Sequence, residues 1–194
     1  MRLPPVNTVL YGDCMAEQLS ATDWLDAGLK ALAVSGVAAL KADPLAKALG
    51  VSRGSFYWHF RDVEAFHTAV LARWRDIATE RIITDVEQHA HGAEAVPYLL
   101  RRAFAARSDL EVAVRSWATH DAGARKTVRE IDQRRMSYIE GMLNRAGLAT
   151  DVARARAQIL YWAFLGFELS DKPLPPKERE RLIAELIRVG GTQG

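Results

Sequence analysis

The chain has 194 residues, 49% of them hydrophobic and 26% charged, with a net charge of +2 and a pI near 8.8. That balance allows one or two small buried cores and excludes an intrinsically disordered chain, while the whole-molecule field is too weak to attract nucleic acid without local clustering. Cys14 stands alone, which excludes an internal disulfide and any multi-thiolate zinc site, and no apolar run approaches the ~18 residues of a membrane span. The chain therefore reads as soluble and cytoplasmic, with no signal peptide and no membrane partner.

Residues 1–20 carry Pro4-Pro5 and Gly12 with little periodicity and read as an N-terminal extension, in which Met15 competes evenly with Met1 as the start. Leu25, Leu29 and Leu32 recur at i, i+4, i+7, predicting a first helix that starts near Ala21 or Thr22 and stops at Gly36. Asp43 can cap a second helix with Pro44 in its first turn, Leu45 and Leu49 inward, and Gly50 as its end. Ser52 can cap a third, whose Phe56 and Phe60 share one side, and a fourth runs from about Asp62 past Trp74. After a break at His89-Ala-His91-Gly92, helices are predicted at about 94–107, 109–119, 122–146, 150–169 and 176–189. Ser108-Asp109 and Thr150-Asp151 supply cap candidates, Gly147 a stop, and Pro173, Pro175 and Pro176 a loop. No strand is predicted, so the fold class is all-α, divided into the extension 1–20, a helix-turn-helix domain 21–66 and a second helical domain 67–194.

The segment Asp43 to Phe60 carries the chemistry. Two steeply crossing helices need a small residue at their contact, a flexible turn and a large apolar side chain beneath, and Ala46, Gly50 and Phe56 meet those needs. Between Lys41 and Arg61 the charges are Lys41, Lys47, Arg53 and Arg61 against Asp43, a local basic excess suited to phosphates. Ser52 and Ser55 add donors at a helix N-terminus. Tyr57, Trp58 and His59 are consecutive on a short helix, so they cannot all face inward with Phe56 and Phe60.

Val51-Ser-Arg-Gly-Ser-Phe-Tyr-Trp-His-Phe60 closely resembles the TetR family of bacterial transcriptional regulators, strongly over residues 22 to about 75 and beyond that only in helical layout. The resemblance implies that three N-terminal helices bind double-stranded operator DNA, the third in the major groove, while a divergent helical domain dimerises and binds a small effector. It assigns Ser52, Arg53 and Ser55 to bases or nearby phosphates and Tyr57 and His59 to phosphates. Trp58 would pack on the sugar-phosphate backbone or a neighbouring helix, and Lys41 and Lys47 would touch the backbone. The family usually has a phosphate-binding lysine where this chain has Val63; Arg61, two residues earlier, is the substitute.

In the second domain, Ile159, Trp162, Ala163, Gly166 and Phe167 form one apolar face, and Leu182, Ile183, Leu186 and Ile187 another. Either the two build a four-helix interface in a homodimer, whose symmetry calls for a pseudo-palindromic operator, or they close the monomer's own core. Candidate effector-binding residues are Phe104, Trp117, Tyr138, Met142, Tyr161 and Phe164, with Arg115, His120 or Asp121 for polarity; such a lining suits an apolar or planar molecule. Arg115–Asp121 and Asp132–Arg135 also occur in this arrangement in the family, implying fold support, and Asp132 can pair with Arg135 or Arg129. Glu87, His89 and His91 do not converge as metal ligands, no glycine-rich phosphate loop follows a strand, and Cys14 lies in the extension. No catalytic set, metal or cofactor is expected. The reading is a non-enzymatic, homodimeric DNA-binding regulator, a repressor released by a small molecule; the alternative is a helical ligand-binding or protein-interaction module without specific DNA binding.

Overall fold

A computed structural model describes residues 19–191, which form ten α-helices and no strand. The expected extension 1–20, with Cys14 and Met15, lies outside the described residues except for Leu19 and Ser20. Helix α1 (Ala21–Ser35) starts where Ser20 Oγ accepts the Asp23 N–H at 3.3 Å and the Asp23 carboxylate accepts the Ser20 N–H at 2.8 Å. This reciprocal cap fixes the boundary just before the residues that apolar spacing alone suggests. Helix α2 (Ala42–Leu49) takes Lys41, not Asp43, as its N-cap. Asp43 lies in the first turn instead, where its charge opposes the positive end of the helix, and Pro44 occupies one of the four positions whose N–H has no intrahelical partner.

Gly50 then adopts φ 70°, with its N–H on Lys47 O and the Val51 N–H on Ala46 O. That paired closure needs a left-handed residue, which glycine supplies without Cβ strain. Helix α3 (Arg53–His59) starts after Ser52 as expected, but the Ser52 side chain makes no capping hydrogen bond and stays exposed. Asp62 caps α4 (Val63–Arg75) by accepting the Ala65 N–H at 2.7 Å.

Helix α4 does not stop at Arg75. It passes through a π-turn at Asp76–Glu80, where the Arg81 N–H reaches back five residues to Asp76 O, and continues as α5 (Arg81–His89). The buried positions Phe66, Val70, Trp74, Thr79 and Ile83 record the extra residue: steps of four become five between Trp74 and Thr79. Helix α6 (Ala95–Ala103) ends earlier than predicted because Phe104 is fully buried as the chain turns toward Ser108, whose Oγ accepts the Glu111 N–H and caps α7 (Asp109–Ala118). Asp121 caps α8 (Ala122–Arg145). Helix α9 (Thr150–Leu169) has Ala149 rather than Thr150 at its cap, and α10 (Pro176–Gly190) opens with proline in its first turn.

Two apolar cores result. The first joins Trp24, Leu32, Leu45, Phe56, Phe66 and Trp74 of α1–α4 to Val114 and Trp117 of α7 and Ala124 and Ile131 of α8. The second joins Ile83, Val96, Leu100, Phe104, Tyr138, Leu143, Leu160, Phe167 and Leu186. Each such large side chain contributes roughly 1.5–3 kcal/mol on burial, so α7 and the first half of α8 are part of what holds the N-terminal helices together. Leu182, Ile183, Leu186 and Ile187 of α10 turn into the second core rather than outward. Gly190 permits that approach, since a Cβ there would lie 2.7 Å from Val96 Cγ1.

Candidate nucleic-acid interface and internal cavity

Helix α3 is only seven residues long, so neighbouring aromatic rings must orient it. Phe56 meets Trp24 of α1 at 5.4 Å and Phe66 of α4 at 5.2 Å, both edge-on, and Phe60 meets Phe66 at 4.9 Å. With that face committed, Ser52, Arg53, Tyr57 and Trp58 are exposed, Trp58 at 84%, and Ser55 and His59 are half-buried. Trp58 therefore packs on no neighbouring helix. Lys41 at the start of α2 and Lys47 in its last turn are exposed as well.

Arg53 is not a free charge. Its guanidinium donates to the Tyr57 hydroxyl at 3.1 Å and lies 3.4 Å from the Asp43 carboxylate, so the one acidic residue of the segment sits directly beside α3. Arg61 is exposed and its Nε donates to Asp62 Oδ2 at 2.7 Å, beside the N-terminus of α4 and Val63. The Ala65 N–H and the Arg61 guanidinium together hold the Asp62 carboxyl below the usual range. Sequence reasoning missed Asp43 as a partner of Arg53 because the two lie on different helices.

Two further ties join α4 to its surroundings. Arg73 donates to both carboxylate oxygens of Asp26 on α1, at 3.0 and 3.3 Å. His67 Nε2 lies 2.9 Å from Leu40 O, and its ring meets Trp117 of α7 edge-on at 5.1 Å. No spacing rule connects residues so far apart in the chain.

The candidate effector residues separate into three places. Phe104, Tyr138, Tyr161 and Phe164 line a half-open apolar cavity together with Ile82, Val96, Leu100, Ala103 and Leu160. Trp117 and His120 line a different groove, between the end of α1 and α7, and Met142 faces a surface hollow shared with Tyr138, Glu87 and Arg145. Arg115 lines none of these. It is half-buried in an ionic belt between the two cores.

In that belt Arg115 donates to Glu111 at 2.9 Å and, twice, to Asp132 at 2.6 and 3.2 Å. Tyr161 donates to Asp132 at 2.5 Å and accepts from Arg115 at 3.0 Å, and burial pushes its hydroxyl pKa up. Arg135 donates to both oxygens of Glu111, at 3.0 and 3.1 Å, to Thr79 Oγ1 at 3.0 Å and to Ala78 O at 3.0 Å. Asp132 thus pairs with Arg115, not with Arg129 or Arg135 of its own helix. Thr79 and Glu111, both 2% exposed, were invisible in sequence because their role depends on the π-turn and on α8 lying alongside.

On the outside of α9, Val152, Ala155, Ile159, Trp162, Gly166 and Leu169 follow one another at alternate steps of three and four, and all are exposed, Trp162 at 65%. Phe167, assigned from spacing to this face, belongs to the interior, 5.1 Å from Phe104, and Ala163 is half-buried.

Residues 25–70 match the family described as bacterial regulatory proteins, tetR family. No curated protein matches the sequence. Among solved structures, E. coli NemR in its reduced form is 19% identical with a TM-score of 0.74, covering 90% of this chain and 99% of NemR. A protein from Saccharomonospora viridis described as a transcriptional regulator, in complex with choline, is 14% identical with a TM-score of 0.69, covering 87% and 95%. A TetR-family protein from Rhodococcus sp. is 18% identical with a TM-score of 0.67, covering 87% and 97%. Residues 25–70 thus resemble the tetR family of bacterial regulatory proteins, and the chain shares its fold with these solved structures.

Proposed function

We propose that this chain is a homodimeric, sequence-specific DNA-binding regulator, a repressor whose hold on its operator is released by a small molecule in the cavity. The observation that carries this reading is the division of α3: Phe56 and Phe60 are locked inward, leaving Ser52, Arg53, Tyr57 and Trp58 exposed, with Lys41 and Lys47 exposed at the two ends of α2. Arg53 is the residue for base edges, since its planar fork can meet guanine twice. Ser52, Ser55, Tyr57, His59, Lys41, Lys47 and Arg61 serve the phosphates, which set position and orientation.

The outer stripe of α9 supports dimerisation. Its three-four spacing is that of a helix seam, and Ala155 and Gly166 let a second helix approach closely. A two-fold axis through this stripe presents two α3 helices to half-sites about one helical turn, roughly 34–36 Å, apart. Coupling runs along α4, which touches the DNA-binding helices through Arg73 and His67 and continues into the wall of the cavity.

Selection of bound duplexes from a random pool tests the whole reading. A pseudo-palindrome with that spacing is expected, and affinity for it should fall with salt at a slope near −0.9 per neutralised phosphate. Recovery of no sequence preference, with no salt dependence on duplex DNA, would leave a ligand-binding or interaction module instead.

A further inference from the structure

The half-open cavity lies between α5, α6, α8 and α9 with the π-turn as its floor. Its polar groups are Thr79, Arg135, Tyr138 and Tyr161, and all other lining residues are apolar. Three of the four are already engaged. Thr79 accepts from Arg135, Arg135 is bidentate to Glu111 and also bound to Ala78 O, and Tyr161 both donates to Asp132 and accepts from Arg115.

The charges of the belt are also balanced: Arg115 and Arg135 face Glu111 and Asp132, with Glu168 as a third carboxyl nearby whose pKa burial raises. A ligand carboxylate would have to take Arg135 from Glu111, leaving a carboxylate that is 2% exposed with Arg115 as its one remaining cationic partner. A ligand cation would find no free anion in the wall. Size adds a second constraint. The cavity measures about 80 Å³, less than the ~150 Å³ that accommodates a benzene. A ligand of more than a few heavy atoms must therefore extend through the open side of the cavity or push a wall outward, and Arg135, whose guanidinium lies 5.4 Å from the Phe164 ring and 5.9 Å from the Trp74 ring, connects the cavity side chains to α4.

We propose that this cavity selects an uncharged, predominantly apolar ligand, and that the ligand acts by displacing the Arg135-clamped π-turn rather than by pairing with Arg135. The regulatory part rests on the function proposed above; the selection rule does not. Tyr138, shared with the neighbouring hollow, is the one lining side chain suited to meet a single ligand hydroxyl.

The test uses a matched pair, 1-heptanol and heptanoate at pH 7.5, with the full chain and no DNA. Heptanol should bind by saturation-transfer NMR and raise the melting temperature by about 3–6 °C at ten times its dissociation constant, and heptanoate should bind at least tenfold more weakly. Ala103→Phe, which fills the cavity, should abolish heptanol binding with the circular dichroism spectrum preserved. Preference for heptanoate, absence of heptanol binding, or heptanol binding undiminished in the folded Ala103→Phe protein overturns the selection rule and leaves DNA recognition standing. Heptanol binding with unchanged affinity for a selected operator overturns the regulatory part alone.

Discussion

Glu111→Gln tests how the ionic belt contributes to stability. Glu111 is 2% exposed and receives Nε of Arg115 at 2.9 Å and both terminal nitrogens of Arg135 at 3.0 and 3.1 Å. Arg115 keeps its bidentate bond to Asp132 after the substitution, but Arg135, with a side chain 12% exposed, retains only neutral partners in Thr79 and Ala78. Removing one member of a buried pair costs about 3–5 kcal/mol, because the remaining charge is left uncompensated out of water. For a chain of this size that corresponds to a fall in Tm of roughly 6–20 °C. Urea unfolding followed by circular dichroism measures the difference directly. The companion Glu111→Leu/Arg135→Met removes both charges and should recover most of the loss, since an apolar pair of similar volume has no desolvation penalty. If Glu111→Gln lies within 1 kcal/mol of the parent, or the double variant is no better than the single one, the belt is not a desolvated ion pair and the reasoning fails.

At the proposed DNA interface, Arg53→Ala should weaken a selected operator roughly ten- to hundredfold and relax the preference at one base position. Tyr57→Phe removes both the proposed phosphate donor and the hydroxyl that holds Arg53, so the two changes should be less than additive in gel shifts; strict additivity would separate them. Trp162→Glu on the exposed stripe of α9 should leave the fold intact and give a monomer in sedimentation velocity, and a dimer of unchanged stability would move the interface elsewhere. Glu168 is held above the usual carboxylate range by burial, whereas in the unfolded chain it ionises near 4.5. The folded state therefore keeps its proton longer, and the group's contribution to stability falls as pH rises from about 4.5 through the raised pKa. Glu168→Gln keeps an oxygen for the Ser108 N–H and should be more stable than the parent at pH 8 but not at pH 4. An equal difference at both pH values, from urea midpoints, would refute the assignment.

Several helix ends were legible from local causes. Gly50, Ser108 and Pro176 end or start helices as their chemistry predicts, because caps and turns depend on neighbours in sequence, whereas Asp43, Ser52 and Thr150 do not make the caps expected of them. The inward pair Phe56 and Phe60 was legible for the same reason. What failed depended on which neighbour a face meets. Leu182 to Ile187 reads as an apolar face in any setting, and only the approach of α10 to α6 at Gly190 decides that it faces inward. Phe167 was assigned from spacing to the outer face of α9, yet it is buried against Phe104, while Leu169, which that assignment left out, is exposed. Among the candidate effector residues, the aromatic ones were chosen by type, and type cannot separate Phe104 and Tyr161 on the cavity from Trp117 in the first core. Arg115 was chosen for polarity, and the structure places it off the cavity, paired with the carboxylates of Glu111 and Asp132.

The five-for-four step between Trp74 and Thr79 gives the rod from Val63 to His89 two azimuthal settings. Every side chain beyond Glu80 is rotated about 100° from where an uninterrupted α-helix would carry it. Deleting one residue from Asp76–Glu80 would wind the rod back by that angle, turning Ile83 and Val86 away from their core while Phe66 and Trp74 stayed in theirs. The π-turn is thus a phase offset that lets one continuous helix satisfy two differently oriented cores.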